Sequence, residues 1–174
     1  MIETVKDRVS ISQLMRDLNL EVVYMPEKEE YFVESEDVNR TGLPLAGYFE
    51  YFPYERIQII GKTEYTYFQN ISKKEREEVL DKFFSYEIPV LIVTRGLEVD
   101  KDIIKKAKKY QRIVLSSKSN TTRFINRLSN YLDSKLAPHV TIHGVLVDVY
   151  GIGVLIKGES SIGKSETALE LSCR

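Results

Sequence analysis

The sequence has a single cysteine, no tryptophan and almost no net charge. Because Cys173 has no other cysteine to pair with among the 174 residues, no internal disulfide can form, and we expect a reducing compartment. The 25 lysines and arginines nearly balance the 26 aspartates and glutamates, which leaves a net charge of −1. Without a net positive field to collect phosphates, a basic nucleic-acid clamp is excluded as the first interpretation.

Long hydrophobic runs are also missing from the sequence. The most apolar stretches are residues 89–94 and 151–156, far shorter than the roughly 20 residues that a spanning helix needs. The first eight residues are charged and lack an apolar signal core. With 43% apolar and 29% charged residues, the composition is that of a folded globular protein. We therefore expect a cytoplasmic protein with no membrane partner.

The first 130 residues alternate between short apolar runs and longer amphipathic segments. The predicted strands are residues 20–25, 31–33, 56–60, 89–94 and 112–115. Helix starts are predicted at Ser10 or Ser12, at Ser72 with Glu75 in a capping box, at Asp100, and at Ser119 or Asn120. Strands separated by helices of this length favour right-handed crossovers and a largely parallel sheet.

Two further segments of the first part have weaker signals. Residues 39–44 are rich in turn-forming residues and are predicted as a turn. Residues 46–54 hold five aromatics, a density typical of core or interface packing rather than of a ligand surface.

The chain changes character after a helix predicted to end near Leu136. Residues 140–149 and 152–156 alternate apolar and polar side chains and flank Tyr150-Gly151, which suits a tight antiparallel hairpin. The fold class is therefore α/β. We expect an N-terminal α/β domain over residues 1–132 and the start of a second domain over residues 133–174.

A glycine-bounded loop follows the second strand of this hairpin and matches the pattern G-x-x-x-x-G-K-[ST]. Its residues are Gly158, Glu159, Ser160, Ser161, Ile162, Gly163, Lys164 and Ser165. The glycines allow a sharp turn, and backbone amides at the start of the following helix can bind a phosphate. The lysine supplies a positive charge to the β- and γ-phosphates, and the serine hydroxyl can ligate Mg²⁺. An ordinary glycine-rich turn with a solvated lysine is the alternative interpretation.

The two histidines are the remaining candidates for chemistry. His139 and His143 are four residues apart and would lie on one face of a strand. A zinc site needs two more ligands, and none is evident, so a zinc centre is not expected. His143 precedes the strand that leads towards the loop, so it is either close to the phosphates or a hydrogen-bonded structural residue.

Taken together, these segments resemble the bacterial HPr kinase/phosphorylase family. The resemblance rests on residues 143–151, 153–156, 158–165 and 166–171, and on the upstream segments 39–43, 45–49, 56–58 and 121–125. It implies a bifunctional enzyme that phosphorylates a serine of HPr, the phosphocarrier of the sugar phosphotransferase system, with ATP or pyrophosphate and Mg²⁺. It also implies removal of that phosphate by phosphorolysis, a role in carbon catabolite repression, and hexamers of two-domain subunits.

Residue roles follow from the same resemblance by position. His143 and Lys164 become active-site residues, Gly158 to Ser165 become the cradle for ATP or pyrophosphate, and Ser165 becomes the metal ligand. The family usually has glycine where this chain has Ser161, and a serine is strained there if the position requires a positive φ. It usually has proline where Thr41 stands.

The resemblance leads to a prediction about activity. The family continues past the loop helix to paired aspartates, one of them the general base, so this sequence is expected to hold only the beginning of a P-loop kinase domain, a truncated one. We expect no kinase activity from the 174-residue polypeptide alone. Phosphorylation of a serine of purified HPr, followed by mass spectrometry, would contradict this. Two other functions stay open: another P-loop NTPase with a different acceptor, and a non-catalytic oligomerisation or regulatory module.

Overall fold

The computed structural model describes residues 8–27, 30–137, 144–158 and 161–172. It divides into two compact units, Met1–Pro138 and His139–Arg174. The domain boundary predicted between residues 132 and 133 falls inside the helix Thr121–Leu136. Within the described residues, no helix is both long enough and apolar enough to cross a bilayer.

The first unit contains seven strands and six helices over its described residues. The strands are β1 Val9–Ser10, β2 Glu21–Tyr24, β3 Phe32–Val33, β4 Val38–Arg40, β5 Ile57–Ile60, β6 Leu91–Val93 and β7 Val114–Ser116. The helices are α1 Ile11–Leu18, α2 Gly42–Leu45, α3 Lys62–Asn70, α4 Lys73–Ser85, α5 Lys101–Tyr110 and α6 Thr121–Leu136.

Five of these strands form one sheet in the order β2-β7-β6-β5-β4. Strands β4, β5, β6 and β7 are parallel, and β2 joins the edge antiparallel to β7. Strands β1 and β3 form a separate antiparallel pair. The prediction of a largely parallel sheet is therefore confirmed, and its continuous apolar strand β6 lies in the middle, fully buried.

Helices cover both faces of the sheet, because successive strand residues point to opposite sides. One core packs α1 and α6 against Ile59 and Ile92. The other core packs α2 to α5 against Ile60 and Val93. The helix that follows β6 (α5) therefore packs on one face of the sheet, and the helix that follows the adjacent strand β7 (α6) packs on the other.

Three helices have the side-chain N-caps that the sequence predicts. At α4, Ser72 Oγ accepts from Glu75 N (3.2 Å) while the Glu75 carboxylate accepts from Ser72 N (2.9 Å). Asp100 accepts from the backbone N–H of Asp102 at the start of α5 (2.8 Å). Asn120 does the same at α6. Each bond satisfies a backbone donor that the helix itself leaves free.

The sequence interpretation missed four elements of the first unit: β1, β4, α2 and α3. Residues 39–44 are not only a turn, because β4 is a parallel edge strand whose Asn39 amide donates to the buried side chain of Gln58 (2.8 Å). Helix α3 was not predicted at all. Its N-cap residue is Gly61, which has no side chain to cap a helix, and Glu64 accepts from Gly61 N instead (3.0 Å).

The aromatic segment 46–54 divides between core and surface. Phe49 and Phe52 are buried, and the Phe52 ring lies 5.4 Å from Phe83 and 5.1 Å from Tyr86, centroid to centroid. The tyrosines of the segment are exposed. The core interpretation is thus confirmed for the two phenylalanines.

The second unit begins with the predicted hairpin, formed by β8 Gly144–Val149 and β9 Ile152–Lys157. Tyr150 and Gly151 both have positive φ, 54° and 81°, as a two-residue type I′ turn requires. Asp148 Oδ1 accepts from Gly151 N (2.9 Å) and fixes the turn. Helix α7 Lys164–Ser172 packs against β8.

The close approach of α6 to the end of β5 gives a test of packing in the first unit. A Cβ at Gly61 would lie 2.8 Å from Thr121 Oγ1 and 2.9 Å from Thr121 Cγ2. Thr121 is buried and cannot move easily. We predict that Gly61→Ala lowers the free energy of unfolding by about 1–3 kcal/mol, the usual cost of overpacking.

The matched control is Gly42→Ala, because a Cβ there would meet only Glu64, at 4.0 Å. Urea unfolding midpoints of the two variants and the parent measure the difference. Equal midpoints for Gly61→Ala and Gly42→Ala would show that the Thr121 side chain of α6 does not restrict the space at Gly61.

Candidate phosphate-binding site

The loop motif lies between β9 and α7, where a helix N-terminus faces the end of a strand. Helix α7 begins at Lys164, and its first main-chain bond runs from Thr167 N to Gly163 O (3.1 Å). The amides before Thr167 have no acceptor within the helix. Backbone amides at a helix N-terminus, together with the positive end of the helix dipole, suit an anion.

The two motif glycines are required for different physical reasons. Gly163 has φ +87°, in the left-handed region that favours glycine. At Gly158 the constraint is space, since a Cβ would lie 3.0 Å from Ile162 Cγ2 and 3.7 Å from Lys164 Cδ. The loop therefore closes tightly over its own first residue.

Lys164 bridges the two ends of the loop. Its Nζ donates to the carbonyl oxygen of Gly158 (2.9 Å). The side chain thus runs from the first residue of α7 back towards the end of β9. Its ammonium group lies beside Gly158, the first residue of the loop. A phosphate bound by the loop amides would lie next to a positive charge.

Ser161 stands in the loop with φ +67°. This is the condition under which the sequence predicts strain for a serine at this position, and the structure confirms it. The left-handed region costs a residue with a Cβ roughly 1–2 kcal/mol. The loop conformation is therefore less favourable here than with glycine at the same position.

The metal-ligating groups of the described residues suit Mg²⁺ only when a bound phosphate supplies further ligands. Among the described residues no group of three or more histidines, cysteines, aspartates and glutamates could hold a metal ion. Ser165 lies in the first turn of α7 and offers a hydroxyl oxygen, the hard type of ligand that Mg²⁺ prefers. Mg²⁺ commonly keeps few protein ligands and takes the others from substrate phosphates and water.

The structure brings most of the predicted loop residues together. The described ones are Gly158, Ser161, Ile162, Gly163, Lys164 and Ser165. His143, Glu159 and Ser160 lie outside the described residues, as does His139. One contact was not predicted, the Thr167 hydroxyl donating to Gly163 O (3.1 Å). The signal for it was a threonine four residues after the glycine, where a helical side chain can reach back to that carbonyl.

A strand, a glycine-constrained loop and a helix starting with Lys-Ser define the class of P-loop proteins. Comparison with known families identifies the member of this class. Residues 9–132 match the family described as HPr Serine kinase N terminus, and residues 134–174 match the HPr Serine kinase C-terminal domain. The chain belongs to the HPr kinase/phosphorylase family.

Individual relatives agree with this assignment. The chain is 54% identical to an HPr kinase/phosphorylase of Peptoclostridium acidaminophilum over 94% of its length and 53% of that protein. It is 56% identical to one of Caldanaerobacter subterraneus subsp. tengcongensis, over 95% of this chain and 54% of the relative. The chain thus spans about half the length of the curated relatives it matches.

A solved structure shares the fold alone. It is the regulatory region of a Clostridium perfringens pyrophosphatase with CBS and DRTGG domains, complexed with the activator diadenosine tetraphosphate. The TM-score is 0.51 at 18% identity, over 74% of this chain and 50% of that one.

The strain at Ser161 gives a prediction for ligand affinity. We expect Ser161→Gly to lower the Kd for pyrophosphate about threefold to tenfold, because glycine adopts the positive φ without strain and only part of the gain is lost to its greater chain entropy. Isothermal titration calorimetry on the 174-residue chain measures this.

Ser161→Ala is the control, since it removes the hydroxyl but keeps the Cβ that causes the strain. Its Kd is expected to stay near that of the parent chain. If Ser161→Ala and Ser161→Gly change the affinity equally, the hydroxyl and not the backbone determines binding.

Proposed function

We propose that residues 158–165 bind the phosphates of ATP or pyrophosphate in an enzyme that phosphorylates a serine of HPr. The observation that carries the proposal is the closed loop between β9 and α7, with Lys164 Nζ 2.9 Å from Gly158 O. Relatives named HPr kinase/phosphorylase support the choice of reaction and acceptor. Phosphorolysis of the phosphoserine, with inorganic phosphate as acceptor, is the reverse function proposed with it.

The residues of this chain bind and orient the donor. Backbone amides of the loop and of the first turn of α7 donate to phosphate oxygens. Lys164 exchanges the Gly158 carbonyl for a β- or γ-phosphate oxygen, an acceptor of full negative charge. Because Lys164 Nζ already lies 2.9 Å from Gly158 O, at the first residue of the loop, its side chain needs little reorientation when the phosphate binds.

Two residues complete the proposed site. Ser165 would hold Mg²⁺ through its hydroxyl, and the ion would neutralise charge on the phosphate oxygens. His143 remains a proposed active-site residue on the strength of the family resemblance. We extend the proposal to homo-oligomeric, hexameric assembly, to a cytoplasmic location and to a role in carbon catabolite repression, all on the same basis.

The binding step is tested directly by Lys164→Ala. A charge-assisted hydrogen bond contributes about 1.5–3 kcal/mol, so we predict that the Kd for ATP rises about tenfold to a hundredfold. Calorimetric titration of the 174-residue chain with ATP and with pyrophosphate is the measurement.

Lys157→Ala is the matched control, an exposed lysine at the end of β9, one residue before the loop. Its affinity is expected to be unchanged. Unchanged affinity in Lys164→Ala would remove the basis of the proposed function.

A further inference from the structure

The sequence Gly-Lys-Ser/Thr-Glu occurs twice in the chain, each time at the start of a helix. Residues 61–64 lead into α3, and residues 163–166 lead into α7. Both helices begin at the lysine of this sequence and are nine residues long. A glutamate therefore stands at the same place in the first turn of each helix, and the two copies can be compared directly.

In α3 the glutamate occupies the N-terminus of its own helix. Glu64 Oε2 accepts from Gly61 N (3.0 Å), and Glu64 Oε1 pairs with Arg40 (2.7 Å). The Glu64 side chain is buried, and Gly61 follows β5 without an intervening loop. Its carboxylate thus takes the place in which a helix N-terminus would hold an anionic ligand.

In α7 the glutamate lies beside the phosphate-binding loop. Glu166 is exposed, and its Oε2 is 3.6 Å from the point where a Cβ of Gly163 would stand. The φ of Gly163 is +87°, whereas that of Gly61 is −105°. Because φ sets the direction of the preceding peptide group, the chain enters α7 along a different path from α3. The carboxylate of Glu166 stands next to the second glycine of the loop.

The charge of Glu166 is close to the part of the chain that binds phosphate in the proposed site. Helical side chains lean towards the N-terminus, so the carboxylate lies over the helix end that presents the backbone amides. None of the ion pairs among the described residues involves Glu166. The Lys164 ammonium lies beside Gly158 O, at the other end of the loop. The loop therefore has a positive group near its first glycine and a negative group near its second.

This carboxylate distinguishes two forms of a phosphate ligand. Metal-free pyrophosphate carries a like charge, and at moderate salt the repulsion acts over a Debye length of about 10 Å. When Mg²⁺ is bound, part of the phosphate charge is cancelled, and the proposed ligand of the ion, Ser165, is the direct neighbour of Glu166. A carboxylate attracts such an ion or accepts from its water ligands.

We propose that Glu166 is a specificity-determining residue, which makes the loop select the magnesium complex of a phosphate compound over the metal-free anion. The inference rests on the function proposed for residues 158–165 and adds to it the form in which the ligand is bound. Glu166 lowers the affinity for the free anion by repulsion, and Mg²⁺ removes this penalty. Glu64 has no such role, because its charge is paired with Arg40.

The experiment compares Glu166→Gln with the parent 174-residue chain. Pyrophosphate is the probe, titrated calorimetrically once with EDTA and once with excess Mg²⁺, at one ionic strength because salt screens charges. We expect the metal-free Kd of Glu166→Gln to fall about threefold to tenfold, since the glutamine amide keeps the shape of the side chain without its charge. The Kd with Mg²⁺ should stay the same or rise, so the gain in affinity from Mg²⁺ becomes smaller.

Two further variants separate charge from structure. Glu170→Gln removes an exposed carboxylate of the same helix, one turn further from the loop, and should change neither Kd by more than about twofold. Glu166→Asp keeps the charge and should retain a gain from Mg²⁺ close to that of the parent chain. Urea unfolding midpoints of all variants measure any loss of helix stability, because an acidic residue in the first turn also interacts favourably with the helix dipole.

An unchanged metal-free Kd in Glu166→Gln, or equal effects of Glu166→Gln and Glu170→Gln, would overturn this inference. An equal fall of both Kd values in Glu166→Gln would overturn it as well, because Glu166 would then not distinguish the two forms of the ligand. If the parent chain binds pyrophosphate neither with nor without Mg²⁺, the proposed function fails and this inference fails with it. If Lys164→Ala weakens binding but Glu166→Gln has no effect, only this inference fails.

Discussion

Burial of the parallel strands on both faces is the constraint on which the first unit depends. The three residues of β6 are fully buried, so the main-chain donors and acceptors of that strand must find partners in β5, in β7 or in the residues next to β7, such as Ile113 O and Ser117 N. Two apolar cores, one on each face, supply the driving force. Polar side chains are found mainly where the strands end, because the loops there are not packed between the two apolar cores.

Two polar clusters lie at the carboxyl ends of the strands. The hydroxyls of Thr94 and Thr121 are 2.8 Å apart, Glu64 accepts from Gly61 N, and the same carboxylate pairs with Arg40. All of these groups except Arg40 are buried or backbone atoms. The Thr94 hydroxyl also donates to Ile60 O of β5 (3.1 Å), so its two hydrogen bonds fix the start of α6 against β5 and β6.

The sequence predicted elements whose signals are local and missed those that depend on distant partners. The caps at Ser72, Asp100 and Asn120 and the Tyr150-Gly151 turn each follow from side-chain chemistry within a few residues. Strand β4 and helix α3 lack such signals, because β4 is stabilised by pairing with β5 and α3 starts at a glycine. In the candidate site, the loop pattern predicted a turn between a strand and a helix, and the described loop residues do lie between β9 and α7. The positive φ of Ser161 could be seen only in the backbone conformation.

The hairpin of the second unit has a kinetic consequence. Its strand partners are at most 13 residues apart in the chain, from Gly144 to Lys157, and hairpins of this type form in about 1–10 μs. In the first unit, β2 pairs with β7, from Glu21 to Ser116, so the sheet closes only after a long stretch of polypeptide has been made and ordered. In refolding of the whole chain, the strand pair that leads into the phosphate-binding loop can therefore close faster than the sheet.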